Sequence, residues 1–347
     1  GVCLAGSTSP QPACAAAMQQ TMQAMQLLIP YAACSAPQSR PVLAALKLPY
    51  LQKLLACMSP ALADESAADE ASLSPPHEVA LAGLLGLPSQ DGQIPWAAHH
   101  ARQRGLDASA AWAFITPCHW QVGTDQLTLA DPATLALSPQ DLQALHAALQ
   151  PYFAEDGIAL LPELQQLDSG ICWLARSAVF DGLASASLSR VIARNINTWM
   201  PEAAQAAPLR RLQNEMQMLL YTHPLNEARA AHGLLPVNSF WVHGSGALAT
   251  PPVEQPTVRV ANGLRGSALA HNWTAWGQAW QQIDNTHCAA LHSVIGQSPN
   301  DTHSLLLCGE RRFVRFDSTS NGQRPPLLAR IKSFFSPQPN LDARLQL

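Results

Sequence analysis

The chain has 347 residues, enough to bury a sizeable hydrophobic core. Hydrophobic residues make up 48% of it and charged residues only 13%, about half the charged share of an average soluble domain. The net charge of -4 provides no extended positive field, so nucleic acid is not an expected partner. No run approaches the roughly 18 apolar residues that a bilayer span needs, so no membrane association is expected.

The cysteines and the first residues indicate the cellular compartment. The eight cysteines are scattered without a Cys-x-x-Cys pair, which favours reduced thiols over a zinc site or a disulfide framework. The start, residues 1–24, is rich in small residues but has neither a basic beginning nor a sustained apolar core. We therefore predict a cytoplasmic protein with a flexible N-terminus at 1–24.

The first part of the chain predicts strand and helix in alternation. MQLLIPYAA, at 25–33, is a short apolar run that predicts a buried strand ending at Pro30. Pro49 predicts the start of an amphipathic helix. The acidic stretch at 59–78 predicts a loop before an apolar helix at 79–87. A strand followed by a helix is the beginning of a parallel α/β unit.

The pattern changes after residue 111 and predicts an α+β subdomain. Three runs predict strands, at 112–117, 119–130 and 170–177. Two stretches predict helices, a capped one at 138–157 and an amphipathic one at 208–223. A β-like run, SFWVHGSG, follows Asn238, and there we expect the chain to return to the main sheet.

The last part predicts a long helix at 272–296 and then a strand that turns at Gly309 into a hairpin. Trp273, Trp276 and Trp280 recur at helical spacing, which favours a buried stripe over a ligand-stacking surface.

One stretch, HPLNEARAAHGLLPVNSFWVHGSG at 223–246, carries a family resemblance. It resembles a motif of the archaeal-type cofactor-independent (2,3-bisphosphoglycerate-independent) phosphoglycerate mutases, in the alkaline phosphatase superfamily. With the WxxxWxxxD helix and the LCGER strand, it also resembles the RpfE-type regulatory proteins of proteobacteria. The matching positions are Asn226, Arg229, Gly233, Asn238, Trp241, Gly244 and Gly246.

The resemblance implies a fold and a domain organisation. The expected class is α/β, with an alkaline-phosphatase-like, mainly parallel sheet flanked by helices. Residues 25–111 and 234–347 would form this core, and 112–233 would form an inserted α+β subdomain. The segments at 48–55 and 78–92 resemble further superfamily motifs in the expected order.

The resemblance also implies a catalytic centre whose residues are missing here. Mutases of this superfamily use two divalent cations and a serine nucleophile. Pro30 and Tyr31 stand where the first metal-binding Asp is expected, and Gly309 and Glu310 stand where the late Asp-His pair is expected. We therefore predict no metal and no cofactor. Counting without gaps places His77 at the nucleophile, where it could accept a phosphoryl group.

Four residues of the motif are the predicted ligand-binding residues: His223, Asn226, Arg229 and Asn238. The resemblance places the motif near the mutases' substrate cleft, where an Arg binds anionic groups. The guanidinium fork suits carboxylate or phosphate, and Asn offers both a donor and an acceptor. The alternative is that these residues only cap helices and brace the junction of the subdomain.

Three hypotheses of function follow. We favour a non-catalytic relative of the mutases that binds a small phosphorylated or carboxylate ligand, or a protein partner, in a regulatory role. The second is an active mutase or phosphohydrolase with a rearranged centre, holding Mn or Zn. The third is a protein-interaction scaffold. The rearranged centre would use His77 and some of Glu78, His119, Asp284, His287 and Glu310.

Overall fold

The computed structural model describes residues 24–61, 71–124, 126–252 and 257–318. These residues form a mixed α/β fold with two large sheets and helices packed against both. The predicted flexible N-terminus falls, except for Ala24, outside the described residues. In the described ranges no helix has the length and apolar character to cross a membrane.

The strands are β1 (Met25–Ile29), β2 (Met58–Pro60), β3 (Trp112–Cys118), β4 (Trp120–Val122), β5 (Leu127–Leu129), β6 (Ala159–Leu167), β7 (Gly170–Arg176), β8 (Ser239–Gly246), β9 (Thr257–Val260), β10 (Ser304–Cys308) and β11 (Phe313–Ser318). The helices are α1 (Ser39–Ala45), α2 (Pro49–Cys57), α3 (Pro76–Leu85), α4 (Trp96–Gln103), α5 (Pro139–Glu155), α6 (Leu188–Val191), α7 (Ala207–Tyr221), α8 (Pro224–Ala231), α9 (Arg265–Leu269), α10 (Trp273–Ile283) and α11 (Ala289–Gln297).

The first sheet has the order β2-β11-β10-β1-β9 and is parallel at its centre. Strand β1 pairs in parallel with β10 and β9, and the β10–β11 hairpin and β2 add antiparallel pairs. Every residue of β1 is buried, as expected for a strand covered on both faces. Leu27 and Ile29 pack with α2, α10 and α11, whereas Leu28 packs with α3. The strand, helix and hairpin predictions for this sheet are confirmed.

The second sheet has the order β6-β7-β3-β8, and all its pairs are antiparallel. Helices α5 and α7 cover one face, and α4 covers the other. Strand β8 lies in this sheet beside β3, so the expected return of the chain to the main sheet at 239–246 is wrong. The chain returns with β9. The predicted domain boundaries stay a prediction.

The two glycines of β8 allow α4 to pack closely on the second sheet. Gly244 has φ 63°, and a Cβ there would lie 3.0 Å from Trp96 Cβ. Gly246 has φ 141°, and its Cβ would lie 3.1 Å from Pro95 Cβ. A side chain at either position would be strained and crowded, so the Gly-x-Gly at the end of this strand is explained by packing.

Helix α3 starts earlier than the sequence pattern predicts. The helix begins at Pro76 instead of residue 79, with proline at its start and Gly86 in a left-handed conformation at its end. As a result His77 and Glu78 lie in its first turn instead of in a loop.

Candidate functional site

A cavity of about 500 Å³ lies at the carboxyl ends of β1 and β10, the two central parallel strands. Tyr31 follows β1, and Gly309 and Glu310 follow β10. The loop at 35–38, the first turn of α3, the segment 189–194 and the α9–α10 connection at 268–273 complete the wall. Ligands commonly bind at this end of the strands in open α/β sheets, and the volume lies within the usual range of ligand pockets.

Backbone strain is concentrated around this cavity. In the part of the chain that the structure describes, four residues other than glycine have positive φ. Three of them line the cavity: Tyr31 at 57°, Ala193 at 60° and His271 at 52°. The buried Trp276 helps to hold Tyr31, since its Nε1 donates to the Tyr31 carbonyl at 3.1 Å. Such strained conformations cluster at functional sites.

Arg190 is the buried cation of the cavity wall. It is 4% exposed, and its Nε has no hydrogen-bond partner. Its other contacts are long, from Nη1 to the Glu310 carbonyl at 3.3 Å and from Nη2 to the Ser74 carbonyl at 3.4 Å. Burial, and then Arg194, lower the pKa of Arg190. A buried guanidinium with unused donors is unfavourable alone, and a bound anion would satisfy it.

His77 lines the same cavity from the first turn of α3. Its ring lies 5.2 Å from the Tyr31 ring, and it makes no hydrogen bond within the described residues. Burial, followed by the charges of Arg190 and Arg265, lowers its pKa from 6.5 to about 3. The imidazole is therefore neutral at neutral pH.

The neighbouring Glu78 serves a different purpose. Its carboxylate accepts hydrogen bonds from the Ser187 hydroxyl and, at 3.1 Å, from Trp96 Nε1. Burial raises its pKa from 4.5 to about 6, against the opposing effect of these two bonds. Glu78 does not line the cavity, so it braces α3 against the segment before α6 and against α4.

Two histidines make stability depend on pH: His77, which is half-buried in the cavity wall, and the buried His243. His77 and His243 both have folded pKa values of about 3, lowered by burial from 6.5. Below pH 6.5 the unfolded chain binds protons that the folded chain excludes. The unfolding free energy should therefore fall as the pH drops, by at most about 1.4 kcal/mol per pH unit for each histidine. Glu78 opposes this between pH 6 and 4.5, because its folded pKa is raised.

We expect His77→Gln to make this decline shallower. Urea unfolding at pH 7, 6, 5 and 4 measures it, with the exposed His232→Gln as the matched control. Equal slopes for His77→Gln and the unsubstituted protein would contradict the assignment of a neutral His77.

The donor set of the cavity does not fit the two divalent cations that the resemblance implies. Glu310 supplies the carboxylate of the wall, and its oxygen accepts a hydrogen bond from the Ser35 hydroxyl. Arg190 and Arg194 bring positive charge instead of anionic ligands. Throughout the described ranges, no three His, Cys, Asp or Glu side chains converge as a metal centre would require. Hard cations need several oxygen ligands, and this wall does not bring them together.

The two predicted ligand-binding asparagines brace the chain. Asn226 Nδ2 donates to the carbonyls of Leu220 and Val237 at 2.8 and 2.7 Å, and Oδ1 accepts from the Val237 amide. Asn238 makes a matched pair of bonds with the Trp120 backbone, at 2.7 and 2.8 Å. Neither residue lines the cavity.

Arg229 and His223 also use their polar groups inside the fold. Arg229 is 2% exposed and donates to the Leu235 carbonyl at 2.8 Å, to Asp141 at 2.9 Å and to the Leu135 carbonyl at 2.5 Å. His223 caps α8 by accepting from the Leu225 amide. The contacts of all four motif residues match the bracing alternative, and none faces the cavity.

The residues of the rearranged centre are not brought together. His77 and Glu310 line the cavity, but the others do not. His119 contacts the Pro236 carbonyl, and Asp284 binds the first turn of α2. Conversely, sequence patterns gave no signal for Arg190, which lies in a stretch without a motif or distinctive spacing.

The comparisons with known proteins are sparse. No family model matches the chain, and no curated protein matches it. Among solved structures, it is similar to the cofactor-independent phosphoglycerate mutase of Thermoplasma acidophilum, with 15% identity, a TM-score of 0.36, and 87% of this chain and 92% of that chain covered. It is also similar to the PH0037 protein of Pyrococcus horikoshii, with 12% identity, a TM-score of 0.40, and 87% and 90% covered.

Proposed function

We propose that the chain binds a small anionic ligand, phosphorylated or carboxylate, in the cavity at the ends of β1 and β10. It does so as a non-catalytic relative of the cofactor-independent mutases. The alkaline-phosphatase-like core with an inserted subdomain at 112–233, the RpfE-type family and the regulatory role belong to this proposal and rest on sequence resemblance. The cytoplasmic location also belongs to it and rests on the pattern of the cysteines.

The observation that carries the proposal is Arg190. Its guanidinium is buried, lines the cavity, and keeps one donor without a partner and two in long bonds. The planar fork of Arg suits bidentate binding of phosphate or carboxylate. Arg194 lies nearby at the rim and adds positive charge. The neutral imidazole of His77 adds a hydrogen-bonding group without a competing charge.

Calorimetric titration in the presence of a chelator tests the proposal. Inorganic phosphate and 3-phosphoglycerate are the ligands, and at least one should bind without metal. Arg190→Met should weaken that binding by roughly 10- to 100-fold, because a hydrogen bond to a charged group contributes about 1.5–3 kcal/mol. Arg190→Lys keeps the positive charge but loses the planar pair of donors that the guanidinium offers. Its ligand affinity should therefore lie between those of the unsubstituted protein and Arg190→Met.

The control is Arg211→Met, the same change at an arginine with 58% side-chain exposure, outside the cavity. Thermal unfolding confirms that each variant is folded. Equal binding by Arg190→Met would contradict the proposal. Turnover of 3-phosphoglycerate with Mn²⁺, in a separate assay without chelator, would favour the enzyme hypothesis. No binding of any phosphate-bearing ligand would favour the scaffold.

A further inference from the structure

The cavity has an aromatic wall as well as a cationic one. Trp273 lies half-buried at the start of α10, next to His271, whose ring is 5.5 Å away. Its ring meets the fully buried Trp276 edge-on, at 6.0 Å and 84°. Trp276 is fixed in turn by its bond to the Tyr31 carbonyl and by edge-on contact with Trp280. Trp273 is therefore an aromatic ring of the cavity wall that is held by neighbouring rings, and an aromatic side chain at such a place can stack a planar ring.

The volume and the apolar lining of the cavity favour a ligand larger than a small acid. A volume of about 500 Å³ is more than a lone phosphate or a three-carbon acid would fill. Ile192, Ala268 and Leu269 add an apolar part to the wall. A ligand that fills this space must carry a sizeable body with apolar or aromatic surface, in addition to its anionic group.

The charges limit the ligand to one anionic end. Arg190 and Arg194 lie on one segment of the wall. Glu310 lies beside Arg190, which donates to its carbonyl, and the Glu310 carboxylate accepts from the Ser35 hydroxyl. This carboxylate would repel a second anionic group but accepts hydrogen bonds from hydroxyl groups. A diacid fits this distribution poorly. A single phosphate joined to a neutral body with hydroxyl groups fits it well.

We infer that this cavity binds a nucleoside monophosphate, with the phosphate at Arg190, the sugar hydroxyls toward Glu310 and the base stacked on Trp273. The inference rests on the proposed function and adds the class of ligand to it. Stacking of a base on an aromatic side chain tolerates different bases, so Trp273 sets a preference for nucleotides without selecting one base.

Calorimetric titration with AMP, ribose 5-phosphate, adenosine and inorganic phosphate tests the inference. AMP should bind at least tenfold more tightly than ribose 5-phosphate, because only AMP stacks on Trp273. Trp273→Ala should reduce AMP affinity by about tenfold or more and leave ribose 5-phosphate affinity unchanged. Trp273→Phe should restore most of the difference. Tyr221→Ala, at a side chain that is 84% exposed, is the control.

The outcomes separate the two proposals. If AMP and ribose 5-phosphate bind equally well, and Arg190→Met weakens both, the anion site stands and the nucleotide inference is overturned. If Trp273→Ala leaves AMP affinity unchanged while thermal unfolding shows a folded protein, the stacking role is overturned. If no phosphate-bearing ligand binds, both the inference and the proposed function fail.

Discussion

Arg229→Met is expected to lower the free energy of unfolding by about 3–5 kcal/mol, the usual cost of removing one partner of a buried ion pair. Arg229 is 2% exposed and links three segments, through Asp141 at the start of α5 and through the Leu135 and Leu235 carbonyls. Without the guanidinium these two carbonyls lose their bonds in the protein interior. Urea unfolding at neutral pH measures the loss.

The same variant distinguishes bracing from ligand binding at this arginine. If Arg229 only braces the fold, Arg229→Met should keep the affinity for phosphate-bearing ligands under conditions where it remains folded. Arg211→Met is the matched control. The Arg211 side chain is 58% exposed, so removing its ion pairs with Asp156 and Glu215 should cost much less than the change at Arg229. Loss of ligand binding by folded Arg229→Met would restore the sequence-based prediction that this arginine belongs to an anion site.

Local patterns predicted the main sheet well. The apolar run at 25–29, the proline-initiated helix and the strand that turns at Gly309 all form as expected, because each element has its own period and its own start or stop signal. The capped helix also forms, with a capping box between Ser138 and Asp141. These predictions depend on neighbouring residues, which the sequence displays directly.

Local sequence patterns did not predict which distant strands pair with each other. Strand β8 has the buried pattern expected of either sheet, and only its partner β3 decides where it lies. Strand β6 was not predicted at all, because Pro162 and the polar residues of PELQQ interrupt its pattern. The register shift between Leu160 and Leu164 accommodates this interruption in the folded sheet.

In the candidate site, too, local sequence patterns did not predict which distant segments of the chain come together. His77 was found because a motif surrounds it, but its neighbours in the cavity come from segments far apart in the chain. The Trp273, Trp276 and Trp280 stripe was predicted to be core, and Trp276 and Trp280 are fully buried. Trp273 differs because the helix begins there, at the edge of the cavity. Helical spacing predicts that these residues share one face of the helix, but it does not predict which of them is exposed at the end of that face.

Asp284→Ala is expected to cost about 3 kcal/mol of unfolding free energy, although this residue seemed a candidate for metal or catalytic chemistry. Asp284 is 1% exposed and accepts from the Leu51 amide at 2.7 Å and the Tyr50 amide at 3.2 Å. These amides belong to the first turn of α2, which has no cap from its own preceding residue. The Ala variant would leave both donors without a partner.

Asp284→Asn removes the charge and one of the two acceptors. Its amide oxygen can still accept from the Leu51 amide, but its NH2 group cannot accept from the Tyr50 amide, so Asn should retain only part of the stability. The exposed Asn285→Ala, in the same π-helical turn, is the control and should change little. Urea unfolding measures all three variants. A loss for Asn as large as that for Ala would contradict this expectation and would show that a single amide acceptor does not cap α2, so that the whole carboxylate is required.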